Sequence, residues 1–81
     1  MENEKIEFKE LIEKLIRTKH PLAKKVAIKF RKAENGFSER FNYVKANKVL
    51  RGCFAEAEVE MEALDIVLAL KNYTEKNKLK N

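Results

Sequence analysis

The sequence predicts an all-α fold from three observations. Apolar side chains recur at steps of three and four residues, the spacing that lines one face of an α-helix. Only two glycines and one proline occur in 81 residues, too few for a turn-rich β-sandwich. With 38% charged and 44% hydrophobic residues, the composition is not that of a disordered linker either. We expect one domain, 1–81, of three helices over about 4–18, 21–34 and 38–75, assembling as a helical-bundle homo-oligomer.

The first predicted helix, 4–18, presents Phe8, Ile12 and Leu15 on one face, with Asn3 as its N-cap. It ends before Pro21 because the residue preceding a proline disfavours the α conformation. Pro21 itself suits the first position of a new helix. The sequence therefore predicts a break at residues 19–20.

The second predicted helix, 21–34, packs through Leu22, Val26 and Phe30 and has basic residues on its other faces. Gly36 is the next turn signal, because glycine readily adopts the left-handed conformation that ends helices. A break or kink there is the preferred prediction. The alternative is a helix that continues through Gly36 at a cost of about 1 kcal/mol.

The third predicted helix, 38–75, contains Gly52 as its one glycine and no proline, and would be about 55 Å long. It has apolar residues on two sides, so we expect it to need neighbours on two sides. The first two helices can cover one side. The other side, called the second seam, is the predicted oligomer interface: Val59, Ala63, Ile66, Leu70 and Tyr73. The polar tail, 74–81, is expected to fray.

Residues suited to catalysis or metal binding are sparse. The single cysteine, Cys53, has no histidine near it in the sequence and is predicted to be a small core residue. The single histidine, His20, is predicted to be a cap or a solvent-exposed residue. Acids at positions 56, 58, 60, 62 and 65 diverge around a helix and are interpreted as solvated or salt-bridging. We expect no enzyme activity, cofactor or metal. No signal peptide or long apolar run is evident, so we expect a cytoplasmic protein that does not enter a membrane.

Positive charge is concentrated in the middle of the chain. Residues 14–51 contain twelve basic and two acidic side chains and so carry a net charge of +10, whereas the whole chain carries +5. Lysines and arginines on helix faces neutralise phosphates, and the amide of an asparagine recognises base edges. The predicted polyanion-binding residues are Lys24, Lys25, Lys29, Arg31, Lys32, Arg40, Lys45, Asn47, Lys48 and Arg51.

The leading hypothesis is a non-enzymatic, oligomeric, regulatory protein that binds nucleic acid or a nucleotide through this basic region. One alternative is a small adaptor or inhibitor that docks on an acidic partner protein. A third is a purely structural subunit of a larger helical assembly. A basic surface with no binding role, simply solvated, is the simplest interpretation of the same charges.

Overall fold

A computed structural model describes the backbone of residues 2–80 and the side chains of residues 3–78. This part of the chain contains no strand, and the predicted all-α class is confirmed. The helices are α1 (Glu2–Arg17), α2 (Pro21–Lys32), α3 (Tyr43–Glu56) and α4 (Ala63–Lys80).

The four helices enclose one hydrophobic core. Each helix packs against the next one along the chain, and α4 returns to pack against α1. Each also contributes a side chain with no exposed surface, namely Leu15, Phe30, Leu50 and Leu70 in chain order. The result is a small helical bundle 38 Å long in its greatest dimension.

The predicted break between the first two helices is confirmed. Lys19 has a φ of 60°, and its N–H donates to the carbonyl of Ile16 at 3.1 Å. This left-handed residue turns the chain out of α1. His20 then caps α2, because its Nδ1 accepts from the N–H of Leu22 at 3.2 Å, and Pro21 occupies the first position of the helix.

The chain also leaves the helix before Gly36, so the alternative of a helix running through this residue is wrong. Helix α2 ends at Lys32, and Gly36 has a φ of 102°. A Cβ added to Gly36 would lie 2.7 Å from Cβ of Lys78, so neither the backbone nor the available space accepts another residue easily. Gly36 thereby allows the 33–42 loop to lie against α4.

The single long helix predicted over 38–75 is wrong, because the chain forms α3 and α4 with a turn at 57–62 between them. Helix α3 starts at Tyr43 rather than at Ser38. Asn42 is its N-cap, because its Oδ1 accepts from the N–H of Lys45 at 2.9 Å. At the other end, α4 continues helically through the predicted tail as far as Lys80, and Thr74 is fully buried.

A Schellman motif ends α3. The N–H of Val59 donates to the carbonyl of Phe54 at 2.9 Å, and that of Glu58 to the carbonyl of Ala55 at 3.3 Å. Glu58 has the left-handed φ of 53° that the motif requires. Val59, partly buried, packs against the core to which Phe54 belongs. The bonds and this apolar packing hold a turn at a residue type that usually avoids it.

The residues predicted to form an oligomer interface lie inside the single chain. Ala63, Ile66 and Leu70 are buried, at 2%, 5% and 0% exposure, and Val59 and Tyr73 are partly buried against the same core. Since the turn at 57–62 folds α4 back on α3, the chain covers its own second seam. Self-association stays a prediction, but the buried residues Ala63, Ile66 and Leu70 do not provide its surface.

Replacing Glu58 with glycine tests this turn, because the turn and a continuous helix predict opposite changes in the free energy of unfolding. We expect Glu58→Gly to raise the free energy of unfolding by about 0.5–1 kcal/mol, because glycine adopts the left-handed conformation without steric cost. In a continuous helix the same change would lower it by about 1 kcal/mol. Urea denaturation followed by circular dichroism measures the difference. Lys48→Gly, at an exposed position inside α3, is the control and should destabilise by about 1 kcal/mol.

Candidate functional site

A groove between α2 and the start of α3 collects positive charge. We call it the α2–α3 groove; its volume is about 440 Å³. Val26 and Ala46 are buried there and form an apolar floor. The full lining is Leu22, Lys25, Val26, Lys29, Arg40, Phe41, Asn42, Lys45, Ala46 and Val49.

Cations stand on both walls of this groove, and its lining contains no acidic residue. Lys25 and Lys29 come from α2, one helical turn apart, whereas Arg40 and Lys45 come from the preceding loop and the first turn of α3. All four are exposed. Among the side chains described, none of them forms an ion pair, so their charge is available to an anion from solvent.

A second pocket of about 390 Å³ adjoins the groove and shares Lys29, Arg40 and Phe41 with it. We call it the Phe37 pocket. It adds Lys32 to the cations, and its one acidic lining residue is Glu39. The full lining is Lys29, Lys32, Ala33, Gly36, Phe37, Ser38, Glu39, Arg40 and Phe41.

Aromatic packing holds the loop that carries Arg40. The rings of Phe37 and Phe41 are stacked, with centroids 4.2 Å apart and planes 8° apart. Both meet the buried ring of Phe30 edge to face, at centroid distances of 5.4 and 5.1 Å. Phe30 is part of α2, so the loop is fixed to the helix that supplies Lys25 and Lys29.

Helix α4 holds the same loop from the other side. Glu34 is the anchor: its Oε1 accepts from the hydroxyl of Tyr73 at 3.2 Å, and its carbonyl accepts from Nδ2 of Asn77 at 3.2 Å. Nearby, the ammonium of Lys71 lies 5.0 Å from the ring centroid of Tyr43, within range of a cation–π contact. The walls of the groove are therefore positioned by three helices.

The predicted binding residues do not share one surface. Lys25, Lys29, Arg40 and Lys45 line the α2–α3 groove, and Lys32 lines the Phe37 pocket. Lys24 and Arg31 lie on the opposite flank of α2, because a step of two residues turns a helix by about 200°. The structure places neither of them in these linings.

The other three predicted residues on α3 lie outside both linings. Lys48 and Arg51 are exposed. Asn47 is partly buried, and its Oδ1 is enclosed without a hydrogen-bond partner among the described residues. The structure gives no reason to include these three in a site with the groove.

His20 and Cys53 are adjacent in the structure, contrary to the sequence-based expectation. Sγ of Cys53 lies 3.2 Å from Nδ1 of His20, and Nε2 of His20 lies 2.6 Å from Oε2 of Glu56. The N–H of Leu22 also reaches Nδ1, so this nitrogen is an acceptor and the ring proton is on Nε2. The thiol then donates to Nδ1, and Nε2–H donates to Glu56. Residues 33 positions apart meet because α2 packs against α3.

This cluster has the order of a nucleophile, a base and a carboxylate that orients the base. Burial raises the pKa of Cys53, against a hydrogen bond from the backbone of Ala23 that lowers it, and Glu56 raises it further. The sulfur is therefore a protonated thiol at neutral pH, and the residue is 2% exposed. In the folded chain the cluster joins the start of α2 to the end of α3.

The acidic residues at the 57–62 turn do not form a cation site. Within the described side chains, no three histidine, cysteine or acidic residues are arranged to hold a metal ion. Glu58, Glu60 and Glu62 are exposed, and Glu56 is engaged with His20. Nor does any helix in the described part of the chain have the length and hydrophobicity needed to cross a membrane.

In the described part of the chain, four helices carry an open cationic trough, the name we give to the α2–α3 groove and the Phe37 pocket together. No known protein family matches the chain, and no curated protein or solved structure shows significant similarity to it. The site alone therefore has to support any assignment of function.

Proposed function

We propose that this protein is a non-enzymatic binder of acidic polymers, above all nucleic acid, and that the α2–α3 groove is its binding site. The supporting observation is that four exposed cations on two walls of one groove have no ion-pair partner among the described side chains. Phosphates placed along such walls would replace the condensed counterions of the polymer and release them.

The distribution of charge supports the same proposal. Acidic residues are concentrated at the 57–62 turn, which lies beside the start of α2 because Glu56 contacts His20 there. The Phe37 pocket lies at the other end of α2, where Lys29 and Lys32 meet Arg40. A polyanion is therefore attracted to the Phe37 end of the trough and repelled from the acidic end.

The binding of a labelled oligonucleotide, followed by fluorescence anisotropy as salt is raised, tests this function. Four phosphate contacts predict a salt dependence with a slope of about −3, or about a fifty-fold loss of affinity between about 50 and 200 mM salt. Retention on heparin should show the same trend. If neither heparin nor the oligonucleotide binds at low salt, the proposal is wrong.

An acidic partner protein is the second candidate, and Leu22 favours it. This side chain is 46% exposed beside the apolar floor of the groove, as suits contact with an amphipathic acidic helix. Binding to such a helix would include burial of apolar surface and would persist at high salt. Neither candidate depends on self-association. That prediction rested on the second seam, which packs into the core of the single chain.

A further inference from the structure

We infer that the trough takes single-stranded rather than duplex nucleic acid, with a base stacked at the Phe37–Phe41 pair. This inference rests on the proposed function and specifies its ligand. It follows from three features of the trough: its apolar floor, its paired aromatic rings and its continuity.

The apolar floor disfavours a duplex. Between the cations of the two walls the ligand meets Val26, Ala46 and Val49. A duplex presents its phosphates outward and keeps the faces of its bases stacked inside, so these flat apolar faces cannot reach the floor. A single strand exposes flat, apolar base faces together with its phosphates. Only the single strand can use the walls and the floor at once.

The aromatic pair offers a surface for a base. Phe37 and Phe41 are parallel, their centroids are 4.2 Å apart, and both are only partly buried. Both line the Phe37 pocket between Lys29, Lys32 and Arg40. A base added to this stack would have cations within reach for its own phosphate. Positive grooves with aromatic side chains are the general means of binding single strands without reading their sequence.

The two pockets form one path. They share Lys29, Arg40 and Phe41, and with volumes of about 440 and 390 Å³ each has room for a group the size of a nucleotide. A strand passing from one to the other crosses Phe41. Glu39, at the outer side, repels a phosphate but can accept a hydrogen bond from a base amino group. This arrangement favours a base at the Phe37 pocket and phosphates along the lysines.

The test compares three probes at one salt concentration: a single-stranded oligonucleotide, the duplex of the same sequence, and heparin. We expect the single strand to bind at least about tenfold more tightly than the duplex, and Phe41→Leu to weaken the single strand about tenfold. Phe41→Tyr retains a stacking ring and should bind like the natural protein. Affinity for heparin should fall less than affinity for the single strand in Phe41→Leu, because heparin has no bases and responds only to the looser packing around Arg40.

The outcomes separate this inference from the proposed function. Equal affinity for duplex and single strand, or equal losses for all probes in Phe41→Leu, overturns the single-strand inference while leaving polyanion binding in place. Absence of binding to every probe overturns the proposed function itself. If Phe41→Leu does not fold, the comparison of single strand and duplex with the natural protein still decides, because equal affinity for the two overturns the inference.

Discussion

Leu70→Asp should abolish the cooperative fold. Leu70 is fully buried in α4, so the change removes its packing and places a carboxylate in an apolar core. The combined cost is about 5 kcal/mol or more. A domain of this length is stabilised by only about 4–12 kcal/mol. We expect the variant to lack a cooperative urea transition and to lose most helical circular dichroism at room temperature.

Leu64→Asp is the matched control on the same helix. Leu64 is 52% exposed in the first turn of α4, where a negative charge interacts favourably with the helix dipole. Its free energy of unfolding should stay within about 0.5 kcal/mol of that of the natural protein. The oligomer hypothesis instead placed Leu70 at an interface, where its replacement would dissociate folded chains. A folded, dissociated Leu70→Asp variant in size-exclusion chromatography with light scattering would contradict the structure.

The contrast between these two leucines shows what the sequence could and could not predict. Spacing in steps of three and four identified the buried face of α1 correctly, because this helix has one apolar stripe and a proline ends it. On α2 it was right for Val26 and Phe30 but wrong for Leu22, which is 46% exposed. It failed for residues 38–75, which have apolar residues on two sides. Apolar residues on two sides of a helical segment indicate either one long helix with two neighbours or two shorter helices that pack together. A turn signal normally decides between them.

That turn signal was absent from the sequence because Glu58 occupies the left-handed position where glycine is usual. The turn is held by the backbone hydrogen bonds of Val59 and Glu58 and by packing of Val59 against the core, and none of these needs a glycine or a proline. Lys19 shows the same behaviour after α1, but there Pro21 marked the break independently. A break held by backbone hydrogen bonds and core packing, with no glycine or proline, has no signal in the residue types.

The binding site was predictable only in part, for a related reason. Helical periodicity separates Lys25, Lys29 and Lys32 from Lys24 and Arg31 on α2. It does not indicate which of the two flanks faces α3. Arg40 reaches the groove only because the 33–42 loop is held by aromatic packing and by α4. The contact between His20 and Cys53 likewise depends on the packing of α2 against α3 and has no local signal.

Two double variants of equal net charge, one inside the groove and one outside it, should show whether the groove or the overall charge governs binding. The double variant Lys25→Glu, Lys45→Glu alters both walls, and the control Lys24→Glu, Lys48→Glu alters the neighbouring exposed positions of the same two helices. Each lowers the net charge from +5 to +1, because every lysine-to-glutamate change removes two units. Stability should be retained in both, since all four positions are exposed and a glutamate at position 45 can complete a capping box with Asn42.

We expect the groove variant to lose about a hundred-fold in affinity for a single-stranded oligonucleotide and the control only several-fold. The salt slope is the more specific readout. Losing two phosphate contacts should reduce its magnitude by about 1.4, whereas the control, which changes only the distant field, should leave it unaltered. Equal losses of affinity and equal slopes in the two variants would mean that the oligonucleotide responds to net charge and not to the α2–α3 groove. A loss confined to the groove variant would place the phosphates between α2 and α3, where the structure leaves its cations unpaired among the described side chains.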